Sequence, residues 1–147
     1  MNEVLYNAYV KILKEELLPA MGCTEPIAVA YAAALVRKTL GTIPQSAEVH
    51  VSANIIKNVK SVVVPHTGGM RGIDAAVAAG IIAGNADREL EVLSDVNEEE
   101  VRIMAHYLKQ TPISIAASDN GYIFDIQIRA NAGEHTAFVR IAGVIPT

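Results

Sequence analysis

The spacing of apolar residues changes near Pro112, and this change restricts the fold of the 147-residue chain more than any other feature. Before it, most apolar residues recur at helical spacing. The predicted helices are residues 4–18, 25–40, 73–83, 86–93 and 96–109. After it, apolar and polar residues alternate, and turn residues separate the alternating stretches, as in antiparallel strands with one buried face. These stretches, which predict a C-terminal three-stranded meander, are residues 113–117, 124–129 and 137–141.

Helices and strands occur in blocks along the chain rather than in strict alternation. Two shorter predicted strands, residues 47–52 and 61–64, lie between the second and third helices. This order predicts an α+β fold with helices packed on one face of a mainly antiparallel sheet. The length suits a single domain over residues 1–147, with enough chain to bury one core.

Charge and hydropathy argue against several classes of protein. The net charge is −4 and the chain has no basic cluster, so nucleic-acid binding is not expected. The longest uncharged apolar run, residues 27–36, is too short to cross a bilayer, and the N-terminus lacks a signal-peptide pattern. One cysteine excludes an internal disulfide and fits a reducing cytosol. We therefore expect a cytoplasmic protein with neither nucleic-acid nor membrane partners.

The segment Gly22–Pro26 contains the chain's only cysteine at the predicted boundary of a helix. Thr24 is a suitable N-cap, and Pro26 is tolerated in the first turn. Cys23 would then lie just outside the helix, beside free N–H groups that favour the thiolate form. The alternative is a small buried apolar cysteine without a chemical role. The adjacent Glu25 adds an acid–base group to the functional reading.

Two further segments carry polar side chains or glycines in suggestive arrangements. Residues 54–58 hold two asparagines and a lysine, but on spacing alone a simple turn is favoured. Residues 65–72 form a glycine-rich loop before a helix, which could present backbone N–H groups to a carboxylate. That loop matches neither a Walker motif nor a dinucleotide fingerprint, and glycines also serve ordinary tight turns.

Together these segments resemble the N-terminal part of the L-cysteine desulfidase family, whose members are related to the iron–sulfur serine dehydratase alpha chain. The matching residues are Gly22 to Ala28, Ser52, Asn54, Lys57, Asn58, Val64-Pro65, Thr67-Gly68 and Gly84-Asn85. The resemblance covers most of this chain but only the front of the family's chain. It implies an α,β-elimination that splits a small amino acid, L-cysteine or L-serine, with a four-iron cluster as the Lewis acid.

The same resemblance implies a role for each candidate residue. Cys23 would be a cluster ligand or a catalytic thiol, and Lys57 would be catalytic. The substrate-binding residues would be Thr24, Glu25, Asn54, Asn58, Thr67, Gly68 and Gly69. Iron–sulfur clusters are held by several cysteine thiolates, and this sequence has one. We therefore expect the cluster to need a separate or missing C-terminal portion that bears cysteines, and the chain alone to be inactive.

Two other interpretations remain open at the level of sequence. The chain could be a non-catalytic module of the same fold that binds an amino acid or pairs with another chain. Alternatively, Cys23, the asparagines and the glycines could serve fold geometry alone. An alanine-rich packing face and an unpaired edge strand are also compatible with a homo-oligomer.

Overall fold

The computed structural model describes the backbone of residues 4–11, 21–118 and 124–143, and the side chains of residues 25–88, 91–118 and 125–142. The strands are β1 Val4–Lys11, β2 Ser46–Ser52, β3 Ile113–Ser118, β4 Phe124–Ala132 and β5 His135–Gly143. The α-helices are α1 Met21–Leu40, α2 Ala53–Val59, α3 Ile73–Ala83 and α4 Glu98–Gln110. A 3-10 helix spans Ala86–Glu91.

The strands form one mixed sheet in the order β1-β5-β4-β2-β3. Antiparallel pairing joins β2 to β4 and β4 to β5, whereas β1–β5 and β2–β3 are parallel. Strands β4 and β5 meet at a two-residue turn, Gly133-Glu134, as the sequence predicts. The predicted α+β class, with its C-terminal antiparallel strands, is confirmed.

The position of β3 differs from the prediction, because β3 pairs with β2 and forms no hairpin with β4. Three α-helices and the 3-10 helix separate β2 from β3 along the chain, and such a crossover allows parallel pairing. Alternation of apolar residues identifies a strand but not its partner. The predicted hairpin turn at residues 119–121 lies outside the described residues.

The first predicted helix, residues 4–18, is wrong where the structure describes it. Residues 4–11 form β1, which lies in parallel register beside β5 from Val4 opposite His135 to Lys11 opposite Ala142. Tertiary pairing with a sheet edge therefore overrides the helical spacing. Residues 12–18 lie outside the described part of the chain. The predicted strand 61–64 is reduced to an isolated bridge between Val63 and Arg71.

Helix α1 lies between the sheet and α3. One side of α1 contacts β4 and β5, and another contacts α3, which in turn packs on α4. Close packing of the two central helices depends on Gly80, because a Cβ atom there would lie 2.1 Å from the carbonyl oxygen of Ala30. The inward face of the sheet is fully buried, at Val49, Val51, Ile126, Ile128, Val139 and Ile141. Among the described helices, none is long and apolar enough to cross a membrane.

Candidate functional site

The cysteine segment lies inside helix α1 rather than ahead of it. Helix α1 begins at Met21, so Cys23 and Thr24 fall in its first turn, and the predicted N-cap at Thr24 is wrong. Pro26 follows inside the helix, where its missing N–H removes one helical hydrogen bond. The polarity that the sequence predicts for this turn stays a prediction, because residues 12–20 lie outside the described part of the chain. The side chains of Cys23 and Thr24 lie outside the described residues.

Glu25 is the most unusual side chain of this region. It is only 3% exposed, and its Oε1 accepts a hydrogen bond of 3.2 Å from Asn58 Nδ2. Its other oxygen, Oε2, is buried and has no hydrogen-bond partner in the described structure. Burial raises the pKa of Glu25, and the hydrogen bond from Asn58 opposes this rise only in part. Burial therefore favours the neutral form of this carboxyl group.

The predicted polar turn at residues 54–58 is instead the short helix α2. Ile55 and Val59 point into the core. Lys57 and Asn58 follow Asn54 by three and four residues, and all three residues are exposed. The helix therefore presents them on one face, with Asn58 bonded to Glu25 beneath it. Of the nine predicted site residues, these three and Glu25 are brought together by described contacts or a shared helix face.

The glycine-rich loop is built differently from the prediction. Thr67 is 1% exposed; its Oγ1 donates to Val64 O at 2.7 Å and accepts from Met70 N at 3.1 Å. Both functions of this hydroxyl group are therefore used to close the turn. Gly68 and Gly69 have φ angles of +71° and +100°, which non-glycine residues rarely adopt.

This loop faces α4 rather than α2. A Cβ atom at Gly68 would lie 3.3 Å from Val101 Cγ1. An open groove of about 450 Å³ between loop and helix is lined by His66, Gly68, Val96, Asn97, Glu98, Val101 and Arg102. No hydrogen bond among the described residues links Thr67, Gly68 or Gly69 to Glu25 or Asn58. The predicted carboxylate role of these three residues stays a prediction.

Sequence reasoning missed a buried polar cluster around Asp125. Strand alternation places Asp125 on the face away from the helices, yet its side chain is fully buried. Arg140 Nε donates to its Oδ1 at 3.0 Å, and Ser118 Oγ and Gln127 Nε2 donate to its Oδ2 at 2.7 and 3.0 Å. An aspartate and an arginine on neighbouring predicted strands are the only signal for this pairing in the sequence.

The described residues contain no group of three or more His, Cys, Asp or Glu side chains that could hold a metal ion. The whole sequence contains one cysteine. The donors of this chain therefore do not fit a four-iron cluster, which needs several thiolates. A single thiolate at Cys23 as a metal ligand stays a prediction.

Sequence comparison places this chain beside proteins named UPF0597 protein. The protein of that name from Desulfitobacterium hafniense is 52% identical over 137 residues, which cover 93% of this chain and 32% of the relative. Those of Treponema denticola and Fusobacterium nucleatum are 46% and 43% identical over 92% and 95% of this chain. The chain thus spans about a third of the length of the curated relatives it matches. No family model and no solved structure matches it.

These comparisons correct the resemblance drawn from the motifs. The assignment to the L-cysteine desulfidase family is wrong, because the relatives that match 93% of the chain carry the UPF0597 name instead. The motifs that suggested it are short, and several of them serve local geometry in the structure. Gly22–Pro26 forms part of the first turns of α1, and Thr67 closes its own loop. An alignment of 137 residues is more specific than such segments.

The stability of the chain should depend on the protonation of Glu25. Because its pKa is raised above the ordinary value of 4.5, the folded chain holds this proton more tightly than the unfolded chain. The resulting stabilisation is complete below pH 4.5 and is lost as the pH rises through the folded pKa. We therefore expect Glu25→Gln to unfold at a higher temperature than wild type at pH 7, with the difference vanishing in acid.

Thermal unfolding followed by circular dichroism between pH 4 and pH 8 measures this difference. Glu134→Gln is the matched control, because Glu134 is an exposed turn residue. It should change the transition temperature little at any pH. A lower transition temperature of Glu25→Gln at pH 7 would mean that the buried carboxylate is stabilised by its surroundings, contrary to the structure.

Proposed function

We propose that this chain contributes an acid–base site that binds a small amino acid and takes part in its α,β-elimination, a lyase reaction. The observation that carries the proposal is Glu25, a buried carboxyl group with one oxygen bonded to Asn58 and the other unpartnered in the described structure. A buried carboxyl group with a raised pKa beside a polar helix face is typical of a proton-transfer site.

The hydrogen bond from Asn58 supports a definite position for the proton. Asn58 Nδ2 donates to Oε1, so Oε1 acts as an acceptor and the acidic proton of a neutral Glu25 belongs on Oε2. Oε2 is the oxygen without a described partner. In an elimination, a base takes the proton from Cα, and the electron pair of that C–H bond forms the Cα=Cβ double bond. The leaving group departs with the electron pair of its bond to Cβ, and Glu25 would give it the proton from Oε2. General acid catalysis of this kind contributes about 10²–10⁴-fold to a rate.

The exposed face of α2 supplies the groups that would hold the substrate. The Lys57 ammonium is a mobile point charge suited to a substrate carboxylate. The Asn54 amide lies one turn before Asn58 on the same exposed face and can donate and accept hydrogen bonds. A zwitterionic amino acid would therefore meet a cation and amides on α2 and a carboxyl group beneath it. The choice between L-cysteine and L-serine as substrate stays part of the proposal.

A second candidate is a module that binds an amino acid without transforming it, or that pairs with another polypeptide. The observation that favours it is the coverage: the chain spans 32% of the relative from Desulfitobacterium hafniense. Catalytic groups of the longer proteins can therefore lie in the other two thirds. Under this candidate the Glu25 site would bind the amino acid but complete a reaction only with that second portion.

Removing the positive charge of Lys57 should weaken amino-acid binding. We expect Lys57→Met to reduce the affinity for L-cysteine or L-serine about tenfold, which corresponds to about 1.4 kcal/mol. Isothermal titration calorimetry with the 147-residue chain measures this change. Lys60→Met is the matched control, because Lys60 is also an exposed lysine and lies just beyond the end of α2.

The results first test whether an amino acid binds on α2, which both candidate functions require, and then distinguish the two candidates. Binding weakened by Lys57→Met and unaffected by Lys60→Met supports a site on α2. Equal affinities in both variants and wild type would contradict it, and so would a lack of heat with both amino acids. If binding is confirmed, the chain is assayed together with the remaining two thirds of the longer relative from Desulfitobacterium hafniense. Formation of a 2-oxo acid that Glu25→Gln abolishes would then favour elimination, and binding without product would favour the module.

A further inference from the structure

Ser52 occupies the N-cap position of α2, but its hydroxyl group does not cap that helix. A serine at this position ordinarily accepts a hydrogen bond from a backbone N–H of the first helical turn. Ser52 Oγ instead accepts from the backbone N–H of Asp125 at 3.2 Å. The residue is only 3% exposed. The hydroxyl group therefore ties the start of α2 to strand β4.

Asp125, which donates this hydrogen bond to Ser52, is itself held by contacts with other strands. Asp125 is fully buried and forms a salt bridge with Arg140 on β5, 3.0 Å between Oδ1 and Nε. Ser118 on β3 donates to the same carboxylate at 2.7 Å. Contacts from strands β5 and β3 thus fix the position of Asp125. The hydrogen bond from the Asp125 backbone N–H therefore holds Ser52 at a fixed place beside the sheet.

Helix α2 depends on such anchors because it is short. It has seven residues, and helices of this length are not stable by themselves in water. The buried side chains of Ile55 and Val59 fix its rotation about its axis. Ser52 fixes the point at which it begins. Asn58, in the last turn, then reaches Glu25 at 3.2 Å.

We propose that Ser52 is a positioning residue of the candidate site, which sets the contact between Asn58 and Glu25 by tying α2 to Asp125. Ser52 contacts Asp125 rather than Glu25, so it acts through the helix. The Ser52 hydroxyl group stands at an N-cap position but bonds to β4 instead of capping its own helix. Such departures from a local rule are expected near functional sites. This inference rests on the proposed function, since it takes Glu25 as the working group of the site.

The ionisation of Glu25 gives a direct readout of this contact. The hydrogen bond from Asn58 lowers the pKa of Glu25 against the effect of burial, so its loss raises that pKa further. We expect Asn58→Leu, which removes the donor but keeps the bulk, to shift the titration of Glu25 upward. Ser52→Ala should shift it in the same direction, and Ser52→Thr, which keeps the hydroxyl group, should restore wild-type behaviour. The measurement is a ¹³C NMR titration of the glutamate side-chain carboxyl groups in the 147-residue chain.

A double variant separates positioning from general loosening of the fold. If Ser52 acts through Asn58, Ser52→Ala should add no further shift when Asn58→Leu is already present. Ser52→Cys, with nearly the same shape and a weaker acceptor, repeats the test without opening a cavity. An unchanged titration in Ser52→Ala, or an equal shift in both backgrounds, would overturn the positioning role. An ordinary pKa of Glu25 in the wild type would overturn the proposed function instead.

Discussion

Gly80→Val should destabilise the chain by about 3 kcal/mol, and we expect it to unfold at a much lower urea concentration than wild type. The reason is the approach of α3 to α1, because a Cβ atom at position 80 would lie 2.1 Å from Ala30 O and 2.8 Å from Ala33 Cβ. The closer of the two atoms belongs to a helix backbone, which cannot move aside as a side chain can. The two central helices would have to separate, and the core between them and the sheet would loosen.

Urea unfolding followed by circular dichroism measures the effect of this substitution. Gly133→Asn is the matched control, since a Cβ atom at Gly133 would have no neighbour within 4 Å among the described residues. The φ angle of Gly133 is +61°, which asparagine tolerates. This variant should unfold at nearly the wild-type urea concentration. A Gly80→Val chain that unfolds like wild type would contradict the packing of α1 against α3.

Arg140→Leu should destabilise the chain by about 3 kcal/mol, because it leaves the Asp125 carboxylate buried without its cation. The carboxylate is fully buried, whereas the arginine side chain is 25% exposed. Ser118 and Gln127 continue to donate hydrogen bonds to Asp125, so the loss should lie at the lower end of the range for broken buried pairs.

The double variant Arg140→Leu with Asp125→Asn should recover much of this stability, since it also removes the buried negative charge that Arg140 neutralises. Arg129→Leu is the control, because the exposed Arg129 stacks over the ring of Phe138, at 5.3 Å from its centroid, on the surface of the sheet. The free energy of unfolding from urea titrations compares the three. Equal losses for Arg140→Leu and Arg129→Leu would mean that the buried pair contributes no more than a surface contact.

Much of the fold could be predicted from the sequence where one periodicity dominates. Strands β4 and β5 alternate strictly and meet at a turn that contains Gly133, and α4 follows a capping box. The box is formed by the side chains of Asn97 and Glu100. The parallel pairings of β1 and β3 could not be predicted, because they depend on which sheet edge remains available. Local spacing even favours a helix where β1 forms.

The residues of the candidate site could be predicted from the sequence, but their contact could not. Glu25 and Asn58 stand out in the sequence as polar residues beside a helix start and in a polar segment. Their contact spans 33 residues along the chain and depends on α2 being a helix, which the sequence does not indicate. Alternation predicts a solvent-facing position for Asp125, because it reports only the side of a strand. Whether that side is buried depends on its neighbours in the sheet.

The central claim is that Glu25 is a protonatable group that faces a bound amino acid, and a ¹³C NMR titration of its carboxyl carbon tests it most directly. With the free chain, Glu25 should titrate above 4.5, and saturating L-cysteine or L-serine should change that titration. A Glu25 that titrates at its ordinary value and does not respond to either amino acid would contradict the account.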